Sequence, residues 1–198
     1  MVFNIKEAFF MKCCNPTETL KNENIVVEGE AKEGLEKIVL VGTPNVGKSV
    51  LFNRLTRSYV TVSNYPGTTV EVSRGKGVLG DREYEIVDTP GMYSFMCITE
   101  EEKVTKRLLF NEKPEVVLHV IDAKNLERML PLTFQLIESG LPVILVLNIM
   151  DEAKRLGLKI DIEKLEEQLG IPVVSTTAAL NKGVDILRER IDKYVNAA

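Results

Sequence analysis

The chain has 198 residues, of which 44% are hydrophobic and 27% charged, so it can form one globular core without disulfides or a structural metal. Its 25 Lys and Arg residues against 29 Asp and Glu residues give a net charge of −4, which argues against nucleic acid as a partner. Three cysteines, Cys13, Cys14 and Cys97, exclude a disulfide scaffold and indicate a reducing compartment.

We expect neither a signal peptide nor a membrane-spanning helix. The longest apolar run, residues 141–147, is far shorter than the roughly 20 residues that cross a bilayer. Residues 1–35 combine a short apolar cluster, the Cys13-Cys14 pair and a polar stretch, and we interpret them as an N-terminal appendage. Residues 36–198 are predicted to form the folded domain.

From residue 36 onward, apolar runs alternate with amphipathic stretches. Continuous Val, Ile and Leu runs are typical of strands buried on both faces of a parallel sheet, with helices covering both faces. Gly80-Asp81 suits a tight turn and predicts one antiparallel edge strand, which makes the fold α/β. The six predicted strands are 38–41, 70–79, 83–87, 116–121, 143–147 and 172–174, and the predicted helices are 48–55, 100–110, 126–138, 162–169 and 184–194.

The first strand runs directly into GTPNVGKS, residues 42–49, which matches G-x-x-x-x-G-K-[ST] and opens into a helix. Gly42 and Gly47 would let the backbone fold around a phosphate, so that N–H groups and the helix N-terminus face the anion. Lys48 would neutralise the β- and γ-phosphates, and the Ser49 hydroxyl would ligate Mg²⁺. The motif therefore predicts a phosphate loop.

DTPG, residues 88–91, follows the hairpin. Asp88 at a carboxyl strand end could hold Mg²⁺ through water, and the N–H of Gly91 could meet the γ-phosphate. Such a turn is common by itself, but its position at a strand end downstream of the phosphate loop favours a nucleotide site.

Asn148 and Asp151 form N-x-x-D at the end of a later strand. Asp151 could accept paired hydrogen bonds from N1–H and the 2-amino group of guanine, a donor pair that adenine lacks. Residues 176–178 follow the last strand and would supply a backbone N–H to guanine O6. The order of the three motifs favours this interpretation over an ordinary polar loop.

This ordered set resembles GTP-binding domains of the TRAFAC class, and the sequence is most similar to the cytosolic G domain of the ferrous iron transport protein B family. The resemblance covers about residues 37–195 and implies a P-loop NTPase fold with a Ras-like G domain. Its most specific segments are IDAKNLERMLPLTFQL, residues 121–136, and NIMDEAKRLG, residues 148–157. VSNYPGTTVE, residues 62–71, and VDTPGMYSF, residues 87–95, also contribute.

The resemblance assigns further roles. Thr69 matches the threonine that binds Mg²⁺ and senses the γ-phosphate, with Thr68 as the neighbouring alternative. Most relatives have Asn-Lys-x-Asp, whereas Ile149-Met150 lies between Asn148 and Asp151 here. The missing lysine implies weaker nucleotide binding and faster nucleotide exchange. Met92 stands where Ras-like enzymes have the glutamine that orients water, which implies slow hydrolysis.

Asn45 occupies the position that binds K⁺ in potassium-activated relatives. Backbone carbonyls near Ser63 and Tyr65 could complete that site, and the cation would stabilise charge that develops between the β- and γ-phosphates. The alternative is that Asn45 only caps the loop.

The expected catalytic residues are Lys48, Asn45, Thr69 and Gly91. The expected Mg²⁺ ligands are Ser49, Thr69 and Asp88, and the expected K⁺ ligand is Asn45. The residues expected around GTP or GDP are Gly42, Thr43, Pro44, Asn45, Val46, Gly47, Lys48, Ser49, Val50, Gly67, Thr68, Thr69, Val70, Asp88, Thr89, Pro90, Gly91, Asn148, Ile149, Met150, Asp151, Thr176, Thr177 and Ala178.

Other residues receive structural interpretations. His119 lies inside an apolar run and is expected to be a core histidine rather than a catalyst. Cys97 is expected to serve packing, and Cys13 and Cys14 lack neighbouring ligands that would indicate a metal site. Residues 100–102, all Glu, are interpreted as a solvated helix start.

The sequence thus predicts a slow GTPase that uses Mg²⁺ and K⁺. The resemblance implies that a helical domain and a polytopic membrane domain accompany it, at the cytosolic face of the cell membrane, in a protein that moves ferrous iron. Two alternatives stay open: a ribosome-assembly or tRNA-modifying GTPase, and a binding module switched by GTP without significant turnover.

Overall fold

A computed structural model describes residues 34–56 and 58–197 of the chain. The described residues form one seven-stranded sheet in the order β2-β3-β4-β1-β5-β6-β7. The strands are β1 (Glu36–Val41), β2 (Ser58–Asn64), β3 (Glu71–Leu79), β4 (Arg82–Asp88), β5 (Val116–Asp122), β6 (Val143–Asn148) and β7 (Val173–Ser175).

Five of the strand pairs match the predicted mixed sheet. β1 pairs in parallel with β4 and β5, β5 with β6, and β6 with β7, whereas β3 and β4 form the predicted antiparallel hairpin. These pairings bring the carboxyl ends of β1, β4, β5 and β6 to one edge of the sheet, where ligands bind in open α/β folds.

The predicted number of six strands is wrong, because β2 adds a seventh. β2 pairs antiparallel with β3, so the antiparallel strand β3 lies second from the edge rather than at the edge. The sequence did not reveal β2 because Val60 and Val62 are 50% and 56% exposed and alternate with polar residues. An edge strand of this kind has no buried apolar run to detect.

The helices cover both faces of the sheet, as predicted. The helices are α1 (Lys48–Leu55), α2 (Glu100–Asn111), α3 (Leu126–Glu138), α4 (Met150–Arg155), α5 (Ile162–Leu169) and α6 (Val184–Ala197). α1, α3 and α5 have the predicted bounds, and α2 and α6 extend slightly further. The six-residue α4 was not predicted, since it is shorter than two turns.

The core lies on both sides of the sheet. On one face, Leu51 of α1 and Leu187 of α6 pack with Leu40 and Val120 in one buried cluster. On the other face, Leu108 of α2 and other side chains from α2 and α3 pack in a second cluster. Within the described residues, no helix is both long and apolar enough to cross a membrane.

Candidate functional site

The loop between β1 and α1, residues 42–47, packs tightly against the ends of β5 and β6. Gly47 has φ 87°, and a Cβ built there would lie 2.4 Å from the amide nitrogen of Asn148. A Cβ on Gly42 would lie 2.2 Å from the carbonyl oxygen of Val120. Larger side chains are therefore excluded at both positions of the motif, as its spacing predicts.

Lys48, the first residue of α1, folds back over this loop. Its side chain is buried, and Nζ donates to the carbonyl oxygens of Gly42 and Thr43 at 3.1 Å each. Burial lowers the pKa of Lys48, and the nearby Asp88 carboxylate works in the opposite direction. A buried cation that only carbonyl oxygens hold is suited to receive an anionic group above the loop.

Ser49 and Asp88 come together although they belong to different elements. The Ser49 hydroxyl donates to Oδ2 of Asp88 at 2.7 Å, and Asp88 stands at the end of β4, paired with Leu40 of β1. Oδ1 of Asp88 is buried and has no hydrogen-bond partner among the described residues. Burial raises the pKa of Asp88, while the Ser49 hydrogen bond and the Lys48 charge lower it.

This pair fits a hard divalent cation. Hydroxyl and carboxylate oxygens are the ligands that Mg²⁺ prefers, and the orphaned Oδ1 of Asp88 leaves a buried acceptor without a donor. The part of the chain that the structure describes has no group of three or more His, Cys, Asp or Glu side chains placed to hold a metal. A two-ligand arrangement of this kind requires further oxygens from a bound phosphate or water.

The segment after Asp88 is fastened to the phosphate loop. The Thr89 hydroxyl donates to the carbonyl oxygen of Leu40 at 2.7 Å, and the Met92 N–H donates to that of Gly42 at 3.1 Å. A Cβ on Gly91 would lie 2.6 Å from Cγ of Pro44, so residue 91 packs directly on the loop. The Met92 side chain is fully buried and packs in the second core cluster.

The prediction that Glu102 belongs to a solvated helix start is wrong. Glu102 is only 4% exposed, and its carboxylate accepts the N–H groups of Tyr93, Ile98 and Thr99 at 3.0, 2.9 and 3.3 Å. Burial raises its pKa, but these backbone donors outweigh burial and leave the pKa below its ordinary value. Thr99-x-x-Glu102 is a capping box, the signal that could have separated Glu102 from its exposed neighbours.

The first-switch residues are not brought to Ser49 and Asp88. The Thr68 hydroxyl donates to the carbonyl oxygen of Tyr65 at 2.9 Å and accepts the Val70 N–H at 3.3 Å, so it stabilises its own turn. Thr69 is exposed, and its hydroxyl makes no hydrogen bond within residues 34–56 and 58–197. The turn also uses the left-handed conformation of Gly67, with φ 77°.

Asn148 connects the three loops at the opposite end of the site. Its buried amide nitrogen donates to the carbonyl oxygen of Val46 at 2.9 Å, and its oxygen accepts the Thr176 hydroxyl and the Ala178 N–H at 3.0 Å each. Asn148 therefore joins the phosphate loop to the turn after β7. Both the nitrogen and the oxygen of the buried Asn148 amide therefore have hydrogen-bond partners.

A cavity of about 230 Å³ lies beside this connection. The predicted base residue Asp151 lines it, on the first turn of α4, together with Val50 of α1. Met150 is buried and is not among the lining residues, whereas Ile149 lines the cavity. The residues lining the cavity are Asn45, Gly47, Val50, Asn148, Ile149, Asp151, Glu152, Thr177, Ala178 and Ala179.

Ile149 has φ 60° and ψ 34°, the left-handed conformation. A β-branched residue adopts this conformation only at a cost of about 1–2 kcal/mol, so the surrounding contacts hold it there. Such local strain is typical of functional turns.

The N–H groups of residues 176–178 have protein acceptors. Thr176 donates to Leu147 O at 2.7 Å, and Thr177 to Lys182 O at 2.9 Å. The Ala178 N–H is the one that faces a side-chain acceptor, Asn148 Oδ1.

His119 and Cys97 have the structural roles predicted for them. His119 is 1% exposed, its Nδ1 lies 3.0 Å from the Thr133 hydroxyl, and burial lowers its pKa to about 3. Cys97 is partly buried and packs against the cluster under α2. Cys13 and Cys14 lie outside the described residues, as does nearly all of the predicted appendage.

These features define a P-loop domain of the G-domain class. They are a phosphate-binding loop between the first strand and its helix, an Asp at the end of the neighbouring strand, and an Asn-x-x-Asp turn beside a cavity. Residues 36–191 match the sequence profile of the family described as Ferrous iron transport protein B. The chain belongs to this family.

Curated relatives agree with the match. The chain is 42% identical to the Fe(2+) transporter FeoB of Legionella pneumophila strain Lens over 157 residues. This matched segment covers 77% of this chain and 21% of the transporter. It is 38% identical over 161 residues to that of Escherichia coli K12, covering 79% of this chain and again 21% of the transporter. The chain thus spans about a fifth of the length of these relatives.

Solved structures show the same fold. The cytosolic domain of the T. maritima FeoB iron transporter, in a GDP form, matches with a TM-score of 0.78 at 38% identity, over 82% of this chain and 64% of that one. The FeoB G-domain of Methanococcus jannaschii matches with a TM-score of 0.71 at 39% identity, over 81% of this chain and 97% of that one.

Proposed function

We propose that residues 36–198 bind guanine nucleotide and hydrolyse GTP slowly, as the regulatory G domain of a ferrous iron transporter. The observation that carries the proposal is the Asn148 side chain, which ties the phosphate loop to the wall of the base-sized cavity. A phosphate site and a base site held together by one buried amide favour a nucleotide over a simple anion. GDP forms of the T. maritima relative support the same ligand class.

Phosphate recognition rests on the loop and α1. The β- and γ-phosphates would lie on the N–H groups of residues 45–48, where the N-terminus of α1 favours negative charge. Lys48 would donate to them while it keeps its contacts with the carbonyl oxygens of Gly42 and Thr43. The N–H of Gly91, packed on Pro44, would meet the γ-phosphate.

Ser49 and Asp88 are the residues that would hold Mg²⁺, with Thr69 reaching the ion from the first switch. When bound, the ion neutralises charge on the phosphates. Thr69 is exposed and its hydroxyl has no hydrogen bond among the described residues, so its segment has to move to reach the site. This movement would make the first switch sensitive to the γ-phosphate, with Thr68 as the neighbouring alternative.

The base would enter the cavity between α4 and the turn after β7. The Asp151 carboxylate would accept from N1–H and the 2-amino group of guanine, and O6 would take over the Ala178 N–H from Asn148. Adenine offers the opposite pattern of donors and acceptors, so the cavity would favour guanine.

Hydrolysis is expected to be slow and to depend on K⁺. Met92 is buried and cannot orient a water molecule, so charge stabilisation carries the reaction. Asn45 is exposed at the loop surface with φ 65°, where its side chain can help to bind a monovalent cation beside the phosphates.

The transport function belongs to the larger protein. The relatives named FeoB are about five times as long as the matched segment, so we place this domain at the cytosolic face of the membrane, coupled to a helical domain and a polytopic transport domain. Through these partners, GTP binding would regulate the passage of Fe²⁺.

The test is phosphate release from Mg·GTP in potassium and in sodium buffer at equal ionic strength, with Asn45→Ala alongside. Stimulation by potassium that Asn45→Ala abolishes would support the full proposal. Slow turnover that is indifferent to potassium would remove the K⁺ site and favour a GTP-switched binding module. Absence of guanine nucleotide binding would overturn the proposal.

A further inference from the structure

Lys124 contacts a residue that lines the base cavity, and the family resemblance, which includes residues 121–136, gave it no role. It follows β5, and its Nζ donates to the Glu152 carboxylate and lies 3.6 Å from Oδ2 of Asp122. Glu152 lines the cavity next to Asp151 on α4. The ammonium group therefore connects the end of β5 to the helix that carries the base-recognition carboxylate.

The β5 side of this connection is fixed. Oδ1 of Asp122 accepts the backbone N–H of Lys124 at 3.0 Å, and Oδ2 accepts the side-chain amide of Asn125 at 3.1 Å. The Asp122 carboxylate is only 12% exposed, so it is a rigid anchor for the turn that presents Lys124.

The α4 side has few other restraints. α4 has six residues. It is held by the Met150 N–H, which donates to the Thr176 carbonyl oxygen at 3.2 Å, by the Leu158 N–H, which donates to the Ala153 carbonyl oxygen at 3.0 Å, and by the buried side chains of Met150 and Ala153. Ile149, which precedes it, is strained. Within the described residues, Lys124 supplies the one ion pair that α4 makes.

The ion pair between Lys124 and Glu152 also changes the charge at the cavity. Asp151 and Glu152 are adjacent carboxylates at a cavity that is proposed to receive an anionic nucleotide. Lys124 neutralises Glu152 and holds it against the β5 turn. Without Lys124, Glu152 would be free to compete with Asp151 for the donors of the base.

We propose that Lys124 is a positioning residue for purine recognition: by holding Glu152 it fixes the first turn of α4, keeps Asp151 at the base edge and slows the release of GDP. This inference rests on the proposed guanine-nucleotide site. The ligand class is a purine nucleotide with an exocyclic 2-amino group, because that group contacts Asp151.

The test measures dissociation of GDP and of IDP, which lacks the 2-amino group, by displacement of their fluorescent N-methylanthraniloyl derivatives in stopped flow. Lys124→Ala is expected to release GDP about threefold to fivefold faster, and Glu152→Gln to behave alike. The double variant should be no faster than either single variant. Lys124→Arg should retain slow release.

IDP separates positioning from general loosening. Because IDP cannot use the full Asp151 contact, Lys124→Ala should accelerate its release less than that of GDP. Equal acceleration of both nucleotides, or unchanged GDP release, would overturn the role of Lys124. Lys76→Ala is the matched control, since it removes a remote ion pair with Glu83 at 3.8 Å and should change neither rate.

The two proposals fail in different ways. If the parent protein does not bind GDP, the proposed function is wrong. If the parent binds GDP and Lys124→Ala folds but releases it at the parent rate, only the role of Lys124 is wrong. Should Lys124→Ala fail to fold, Glu152→Gln, which keeps the side-chain shape, decides the inference.

Discussion

The amide nitrogen of Asn148 donates a hydrogen bond to the carbonyl oxygen of Val46 across 102 residues of sequence. This buried contact holds the proposed phosphate and base sites next to each other. The oxygen of the same amide holds Ala178, so one side chain sets the distance between three loops. Preorganisation of this kind reduces the entropy that binding has to overcome.

Replacement of Asn148 by Ala is expected to lower the free energy of unfolding by about 3 kcal/mol, because it leaves the Val46 carbonyl, the Thr176 hydroxyl and the Ala178 N–H without their partner. Urea unfolding measures this loss. Asn111→Ala, at the exposed end of α2, is the control and should cost less than about 0.5 kcal/mol. An equal, small effect of both variants would contradict a central structural role for Asn148.

Asp151→Asn is expected to change base preference. The amide can donate to the 2-oxygen of xanthine but no longer accepts from both donors of guanine, so the preference for GTP over xanthosine triphosphate should fall at least about tenfold. Competition binding measures the ratio. Asp185→Asn, exposed on α6, should leave it unchanged. Retained discrimination in Asp151→Asn would remove this residue from the base site.

Glu102→Gln should destabilise the domain in a pH-dependent way. The pKa of Glu102 is lowered in the folded state, so its charge contributes stability above the ordinary pKa of a glutamate, and this contribution is lost as pH falls through the folded-state pKa. The variant should be about 1–2 kcal/mol less stable at pH 7, with the difference shrinking in acid.

Thermal unfolding of parent and variant across pH 3–7 gives that difference, with Glu101→Gln as the exposed control. If the stability difference between parent and Glu102→Gln widens in acid, the charged carboxylate does not hold the segment that contains Tyr93 and Ile98.

Ile149→Lys is expected to slow GDP release about threefold to tenfold. The unbranched side chain relieves strain at φ 60°, and its methylene stem can pack over the base. Ile149→Met also removes the β-branch but adds no charge, so it separates relief of strain from contact with the base. Faster release from Ile149→Lys than from the parent would contradict the placement of residue 149 beside the base.

Much of the fold could be predicted because its signals are local. Buried apolar runs predicted β1, β5 and β6, and capping residues such as Gly170 after α5 predicted where helices end. β2 was missed because its exposed valines form no buried run, and α4 because its six residues are held by tertiary contacts instead of periodicity.

The site could be predicted in part for the same reason. The phosphate loop, Asp88 and Asn148 belong to motifs with fixed spacing, so the sequence alone indicated them. The role of Glu102 was missed because an acidic helix start is ordinarily a solvated surface, although its capping box with Thr99 was a usable signal. Lys124 contacts Glu152, which is 28 residues away in sequence and on another element. Only the folded chain shows what their charges contact.

Calorimetric titration of GDP and ADP into the parent protein and into Lys48→Ala, in the presence of Mg²⁺, tests whether the phosphate loop builds a guanine-nucleotide site. We predict saturable binding of GDP to the parent, no binding of ADP at the same concentrations, and loss of GDP binding in a folded Lys48→Ala variant. Equal binding of ADP and GDP, or unchanged GDP affinity in Lys48→Ala, would contradict the account.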